Sequence, residues 1–492
     1  MIYPDRARFK ELSKRGNLIP VYREIFADTE TPVSAFLKVG TAPSFLLESV
    51  VGGEKWARYS FLGIRPSKTL IARGAEVEVR ENGFAREKLV VDNPIDFLKE
   101  EMSRYRAVEV EGLPRFYGGL VGYMGYDMVR FIEEIPDKGR EGLGMPDMFF
   151  MLTDTMLIFD SLRQTIKILS NVLVDGKDLD TAYEDALSKI DEIVKMLKVP
   201  LSAPKMETAP TSETEFVSSF GTREAFEEAV QRAKEYVMSG DVVQVVLSQR
   251  FQRPTSVEPF SIYRALRVIN PSPYMYYINT GELKIVGSSP EILVRLEGKK
   301  ITLRPIAGTR KRGSTEEADI ALERELKRDE KERAEHIMLV DLGRNDVGRV
   351  SKIGSVKVTE LMTVERYSHV MHMVSNVEGE LLDGLDCFDV LKACFPAGTV
   401  TGAPKIRAMQ IIEELEPVRR GPYAGAVGYF GYSGNMDTCI TIRTLLIKNG
   451  MAYIQAGAGI VADSQPRLEY LETSNKALGM VKAVEMAERG LL

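Results

Sequence analysis

The sequence is poor in the residues that most often carry redox chemistry, metals or covalent catalysis. Among 492 residues there are three cysteines, Cys387, Cys394 and Cys439, and three histidines, His336, His369 and His372. The cysteines are odd in number and none forms a Cys-x-x-Cys pair, so neither a disulfide framework nor a cysteine zinc site is indicated. Small buried thiols in a reducing cytosol are expected instead. No apolar run approaches the ~18 residues of a membrane span, and Met1–Lys10 is charged where a secretory signal would be apolar. A cytoplasmic protein without a membrane role is therefore expected. The formal net charge of -6 argues against nucleic acid as the main partner, because phosphate binding wants a basic surface.

What is present is the composition of a globular protein, 44% hydrophobic and 28% charged, with length enough for a large core. No internal repeat of solenoid length is visible. The clearest shift in composition is Val199–Glu215, where three prolines stand among small polar residues. It reads as a linker between a part spanning 1–198 and a part spanning 216–492. Before it, Thr69–Arg80 and Thr155–Leu169 are β-rich and Asp180–Leu197 has helical patterning. After it, Thr222 can cap a helix that puts Phe226, Ala229, Val230, Ala233 and Val237 on one face, with Gly240 ending it and Val242–Phe251 following as a strand. Further strands are expected at Tyr274–Asn279, Leu283–Gly287, Lys300–Pro305, Ala426–Gly431, Thr438–Ile447 and Met451–Ala456. Consecutive strands without strict β-α alternation predict an α+β fold with largely antiparallel sheets.

Several segments have chemical potential. Glu332-Arg-Ala-Glu335 lies in a helix that Asp329 would cap, with Glu332 completing a capping box, and Glu469-Tyr-Leu-Glu472 follows Pro466. Spacing of i,i+3 puts both carboxylates of a pair on one helix face. Two such faces meeting would make a hard oxygen site suited to Mg2+; singly, each reads first as a solvated face. Phe395–Lys405 is a Gly-rich turn running into a helix with Pro404 near its start. Such a helix end is either an ordinary capped terminus or an anion site, and not a Walker loop. Gly457 and Gly459 permit close approach of a ligand to the backbone or simply make a bulge. Arg443, amid apolar neighbours, needs an anionic partner: a ligand carboxylate or a buried ion pair. His369 and His372 would be one turn apart in a helix and could be core residues.

Read together and in order, Leu47-Glu-Ser49, Asn270-Pro-Ser-Pro-Tyr-Met275, Ser289-Pro-Glu291, Pro305-Ile-Ala-Gly-Thr-Arg310, Asp341-Leu-Gly-Arg-Asn-Asp346, Tyr367-Ser-His-Val-Met-His372, Gly398-Thr-Val-Thr-Gly-Ala-Pro-Lys405, Tyr423-Ala-Gly-Ala-Val-Gly-Tyr429 and Gly457-Ala-Gly459 resemble the chorismate-utilising enzymes, and within them the large subunits of anthranilate synthases. The resemblance is dense from about Thr222 to Ala477 and sparse before it. It implies a two-part fold with helices outside the sheets, and conversion of chorismate and ammonia to anthranilate and pyruvate. It places Mg2+ on Glu335 and Glu472, with Glu332 and Glu469 nearby, holding the ring carboxylate. The second carboxylate would meet Arg443, Tyr423 and the backbone of Gly457, Ala458 and Gly459, while Gly308, Thr309 and Thr399 line the ring. Glu291 resembles the general acid, acting with Thr399, and His372 the histidine that assists the later elimination.

Two positions separate siblings. Isochorismate- and salicylate-forming relatives carry a lysine where this chain has Gln244, and aminodeoxychorismate synthases carry one where it has Ala307. An ammonia nucleophile is thus favoured. An aminodeoxychorismate synthase large subunit and an inactive tryptophan-sensing subunit are the weaker alternatives. Ser49, Pro273, Tyr274 and Met275 resemble the tryptophan feedback site, one half on either side of the linker. No cysteine stands on the Gly-x-Cys-x-Gly turn that a glutamine-hydrolysing nucleophile uses. Ammonia is therefore expected from a separate glutamine amidotransferase subunit, component II, in a heterotetramer.

Overall fold

The computed structural model describes residues 2–49, 58–201, 215–366 and 370–491. Among these, two antiparallel sheets of 13 and 12 strands lie face to face. Side-chain alternation assigns the layers. Along Thr155–Asp160, Met156 and Ile158 join Val121, Phe149, Tyr276 and Val427 in the core between the sheets. Leu157 and Phe159 turn instead to the core under the helices Pro32–Val39, Leu179–Leu197 and Pro259–Ile269. Strands covered on both faces need no polar alternation, which is why Met148–Thr153 and Thr155–Asp160 are buried at almost every position. The α+β class, the antiparallel pairing and the outer helices are as the sequence predicts.

The strand order reveals a duplication. In the first sheet Leu18–Phe26, Thr165–Leu173, Thr155–Asp160, Tyr59–Ile64 and Ser44–Glu48 lie side by side. Across a seam, Tyr274–Asn279, Leu283–Ser289, Thr444–Lys448, Met451–Ile460 and Gln244–Pro254 repeat the arrangement in reverse. The second sheet does the same about the pairing of Gly119–Met124 with Ala426–Gly431. Strands in equivalent places occur in the same order along both halves of the chain. The seams join them, with Met275 opposite Glu48 and Gly122 opposite Gly428. Among the described residues only the second half carries the insertion formed by Ile306–Lys311, Glu316–Arg328, Glu330–Gly348 and Lys357–Arg366.

In each half two adjacent strands pass from one sheet into the other. In the second half Leu283–Ser289 continues into Ile292–Glu297, and Met436–Ile440 into Thr444–Lys448. The single strand expected over Thr438–Ile447 is therefore two strands in different sheets. The break falls at Thr441–Arg443, where Arg443 adopts φ 51, a left-handed conformation unusual for a side chain of this size.

Local signals held where they were strong. Thr222 accepts a hydrogen bond from the Ala225 N–H and caps Arg223–Met238, whose Phe226, Ala229, Val230 and Ala233 are buried. Gly240 follows at φ 84. Asp329 caps Glu330–Gly348 through the N–H groups of Lys331 and Glu332. Glu332 does not return the bond as a capping box would, because the Asp329 N–H is already donated to Glu325 and Leu326 of the preceding helix. Most of the expected linker, residues 202–214, lies outside the described residues, as do residues 50–57. Among the described residues no helix is long and apolar enough to cross a membrane.

One contact tests how tightly the halves are joined. Phe36, from before the linker, stacks on Phe260 with ring centroids 4.4 Å apart and meets Tyr277 edge-on at 5.3 Å. Phe36→Ala should cost about 3–5 kcal/mol and lower a single calorimetric transition. Two separate transitions, or an unchanged melting temperature, would show that the halves are independent of this contact.

Candidate active site

Glu291 and Arg443 occupy the two neighbouring crossings of the second half. Backbone bonds lock the crossings together: the Ile440 N–H donates to the Glu291 carbonyl at 3.0 Å, and the Ser288 N–H to the Arg443 carbonyl at 3.1 Å. The Ser289 hydroxyl adds a bond to the Ile440 carbonyl at 2.7 Å. Glu291 is 7% exposed, and burial pushes its carboxyl up to about 8, against the opposing pull of the Thr399 hydroxyl, the Ile306 N–H and the Lys476 ammonium. It is a carboxylic acid held protonated at neutrality.

Thr399 belongs to a 3-10 turn, Gly398–Val400. The turn does not run straight into a helix. Gly402 and Ala403 first pair with Val245 and Gln244, and the helix begins at Lys405 with Pro404 as an N-cap that makes no side-chain bond. Gly402 sits at φ 134, and a Cβ there would overlap the Gln244 carbonyl. This approach requires glycine.

Opposite the crossings runs Met451–Ile460, with Gly457 paired to Ser248 and Gly459 to Val246. A Cβ on Gly457 would come within 2.7 Å of the Tyr423 hydroxyl, and one on Gly459 would overlap the Gln244 amide. These glycines let side chains lie flat on the strand. Ala458 points the other way, into the core beneath Arg223–Met238, and so offers only its backbone. Burial pushes the Tyr423 hydroxyl up to about 12, against Arg420 and Arg443. Burial also pulls the Arg443 guanidinium below its ordinary value, opposed by Tyr423 and Glu472. Arg443 donates to the Lys476 carbonyl at 3.2 Å.

Lys476 joins these groups to the carboxylates. Its ammonium lies 2.7 Å from Glu472 and donates to the Gly457 carbonyl at 2.9 Å. The Glu335 carboxyl is raised mainly by burial, opposed by a 3.3 Å hydrogen bond from Gln244, and further raised by Glu332 and Glu472. Glu469 is raised by burial and by Glu472. The two Glu-x-x-Glu faces therefore sense each other as crowded like charges. Three of the four acids are meanwhile occupied: Glu332 by Arg310 at 3.0 Å, Glu335 by Gln244, Glu472 by Lys476. Among the described residues no three His, Cys, Asp or Glu side chains converge as a ready metal cage.

His372 lies in the strand Val370–Glu380; His369 is outside the described residues. The His372 Nδ1 is 2.9 Å from the Thr309 hydroxyl and 3.4 Å from the Gly308 carbonyl. Burial lowers its pKa, so the ring is neutral at pH 7. Gly308, at φ 66, faces Leu326 and Glu332. His336 is wholly buried against the Ser375 hydroxyl, and burial lowers it to about 4. It is a core histidine. The three cysteines are buried as well, with the Cys387 thiol pushed up to about 12.

Comparison with known proteins bears on this arrangement. A family model described as chorismate binding enzyme matches residues 43–482. The chain belongs to the chorismate-binding enzymes. It is 50% identical over 497 residues to anthranilate synthase component 1 of Acetivibrio thermocellus, covering 99% of each chain. It is 51% identical to the protein of the same name from Pseudomonas aeruginosa, covering 99% of this chain and 100% of that one. Among solved structures, anthranilate synthase component I from Streptococcus pneumoniae aligns with a TM-score of 0.76 at 39% identity, over 93% of this chain and 98% of that one. The menaquinone-specific isochorismate synthase of Escherichia coli, at 19% identity and a TM-score of 0.71, shares the fold.

In this member of the family a second cavity, of about 420 Å³, gathers Ser49, Pro273, Tyr274 and Met275 at the seam of the first sheet. Its walls include Tyr59, Phe61 and Tyr429 together with Glu48, Arg115, Arg295 and Asp437. Arg295 pairs with Asp437 at 2.7 Å, and both bond the Tyr274 hydroxyl. Glu48 accepts from the Tyr263 hydroxyl at 2.5 Å and pairs with Arg267. Sequence reading missed these charged walls and missed Lys476, although Lys476 stands one helical turn beyond Glu472, where an i,i+4 ion pair is a readable signal.

The raised Glu291 sets a linkage. Its folded pKa of about 8 exceeds the 4.5 of an ordinary glutamate, so between these the unfolded chain loses its proton first and stability falls as pH rises. Glu291→Gln should therefore become progressively more stable than the wild type from about pH 4.5 to 8. The difference infrared spectrum of the two proteins should lose its protonated-carboxyl band near pH 8. A band already absent at pH 6 would contradict the assignment.

Proposed function

We propose that this chain is the large subunit of an anthranilate synthase, converting chorismate and ammonia to anthranilate, pyruvate and water. The observation that carries this reading is the pair of neighbouring, mutually bonded crossings, one bearing a protonated acid, Glu291, and the other a guanidinium, Arg443, with a glycine-lined edge that Lys476 joins to both. Full-length similarity to proteins named anthranilate synthase component 1 supports it.

Chorismate carries two carboxylates. Arg443, the Tyr423 hydroxyl and the Gly457–Gly459 backbone would bind the enolpyruvyl carboxylate, with Gly308, Thr309 and Thr399 against the ring. Glu335 and Glu472, flanked by Glu332 and Glu469, would hold Mg2+; two crowded pairs of hard oxygen donors suit that ion. When bound, it supplies positive charge to the ring carboxylate. Glu291 gives its proton to the C4 hydroxyl, which leaves as water while ammonia bonds to C2. Loss of the C2 proton and of the enolpyruvyl group as pyruvate then makes the ring aromatic. The neutral His372 ring, oriented by Thr309, is suited to assist that second half.

Gln244 is spent on Glu335 and has no basic nitrogen to activate water, and Ala307 cannot supply an amine. Both count against sibling activities. The buried thiols leave ammonia to a partner amidotransferase, in a cytoplasmic heterotetramer. Purified chain with chorismate, Mg2+ and ammonium should form fluorescent anthranilate, and Glu335→Gln or Glu472→Gln should reduce it to background without unfolding. Isochorismate, salicylate or no product from the wild type would overturn the reading.

The seam cavity offers aromatic walls together with fixed charges of both signs, which suits a zwitterionic aromatic amino acid. Tryptophan there would inhibit. Ser49→Phe should fill the space and raise the tryptophan needed for half-inhibition about tenfold or more, a loss of ~1.4 kcal/mol, while sparing turnover. Unchanged tryptophan sensitivity would refute the placement.

A further inference from the structure

Behind the candidate site lies a buried ion pair. Glu416 caps the C-terminal end of Lys405–Leu415 and Arg420 follows four residues later, beyond the helix; both are 3% exposed. Arg420 Nε donates to Glu416 Oε2 at 2.9 Å and Nη2 to Glu416 Oε1 at 2.6 Å. The rest of the fork reaches two carbonyls, Nη1 to Val400 at 2.7 Å and Nη2 to Val246 at 2.8 Å. Glu416 also accepts from the Ser248 N–H at 2.8 Å and from its hydroxyl at 2.9 Å.

These partners are distributed in a telling way. Val400 adjoins Thr399. Val246 is paired with Gly459, and Ser248 with Gly457. The guanidinium itself lies over the rings of Tyr126 at 4.8 Å and Tyr423 at 5.6 Å. One planar group thus sets the spacing between the Thr399 turn, the glycine edge and the tyrosine that faces it. Its cationic face over Tyr423 also draws electron density from the ring and makes the hydroxyl a better donor.

Two buried charges are a costly way to obtain stability alone, since well-packed apolar side chains often serve as well or better. What apolar groups lack is a rigid fork that fixes carbonyls at set distances and angles. We propose that Arg420 and Glu416 are a positioning pair, holding Tyr423, the Gly457–Gly459 edge and Thr399 in the one geometry that accepts the enolpyruvyl carboxylate. This rests on the reading of the site as an anthranilate synthase centre.

The test uses the full chain with Mg2+ and ammonium, and every rate is expressed per folded molecule from circular dichroism. Glu416→Leu/Arg420→Met removes both charges, and Arg420→Lys keeps the charge but loses the fork. Both should raise the KM for chorismate about tenfold or more and lower kcat. The cost of Tyr423→Phe should also shrink in the charge-free background, because coupled residues are not additive. Catalytic constants within twofold of wild type in Arg420→Lys, or an undiminished Tyr423→Phe cost in the double variant, would overturn the proposal. Should the double variant fail to fold, the KM of Arg420→Lys decides alone. A wild-type chain that makes no anthranilate would instead overturn the functional reading on which the proposal stands.

Discussion

The passage of strands between the two sheets is the constraint on which the rest of the molecule depends. Sheets stacked face to face bury one another's inner side chains, and a strand that changes sheet must give up its ladder at the corner. The interrupted backbone then points toward the space beside the corner. In the second half two such corners are adjacent and bonded to one another through Ser288, Ser289 and Ile440. Glu291 and Arg443 are the residues placed there, and the left-handed turn at Arg443 is the local cost of turning its guanidinium out of the corner toward Tyr423 and the Lys476 carbonyl.

Charge balance shapes what surrounds them. Four glutamates, Lys476, Arg310 and Arg443 share a partly buried space, where unpaired charge is expensive. The groups satisfy each other, Lys476 with Glu472 and Arg310 with Glu332. Such an arrangement is preorganised for exchange. Each internal partner marks a place where a ligand charge of the same sign can substitute for it, and burial that would punish an isolated charge strengthens the replacement contact. The same burial holds the proton on Glu291, so in the proposed reaction one property of the site would serve both binding and acid catalysis.

How much of this was legible in the sequence depended on the range of the signal. Caps at Thr222 and Asp329 and the strands Tyr274–Asn279 and Ala426–Gly431 follow from neighbours within a few residues, and they were found. The two Glu-x-x-Glu faces and the glycines at 457 and 459 were visible as patterns, though only family resemblance joined them. The break inside Thr438–Ile447 was hidden, because a continuous β-prone run looks the same whether it stays in one sheet or crosses to another. The Glu332 capping box failed for a non-local reason, the preceding helix ending on the same Asp329. Arg420 showed only its spacing of four from Glu416; its other acceptors, the carbonyls of Val246 on a strand and of Val400 in the Gly398–Val400 turn, lie far off in sequence and left no local sign.

The duplicated architecture separates what the fold provides from what the residues provide. The first half has the same pair of crossings, Tyr59–Ile64 into Lys68–Arg73 and Met148–Thr153 into Thr155–Asp160, and beside them a cleft of about 620 Å³. At that corner stands Asp154, tied to Lys189 at 3.5 Å and to the Ser67 N–H at 3.1 Å. The cation that meets this acid is a lysine on the outer helix Leu179–Leu197, and among the described residues the first half has no counterpart of the insertion that carries Gly308, Thr309, Glu332 and Glu335. Equal topology with different residues leaves the chemistry to one half only. The seam cavity lies between the halves, and Arg295 and Asp437 on its wall belong to the very strands that end at Glu291 and lead to Arg443. Arg295 follows the acid by four positions, ~13 Å of extended chain, so a ligand bound at the seam would bear on the strands that lead to Glu291 and Arg443.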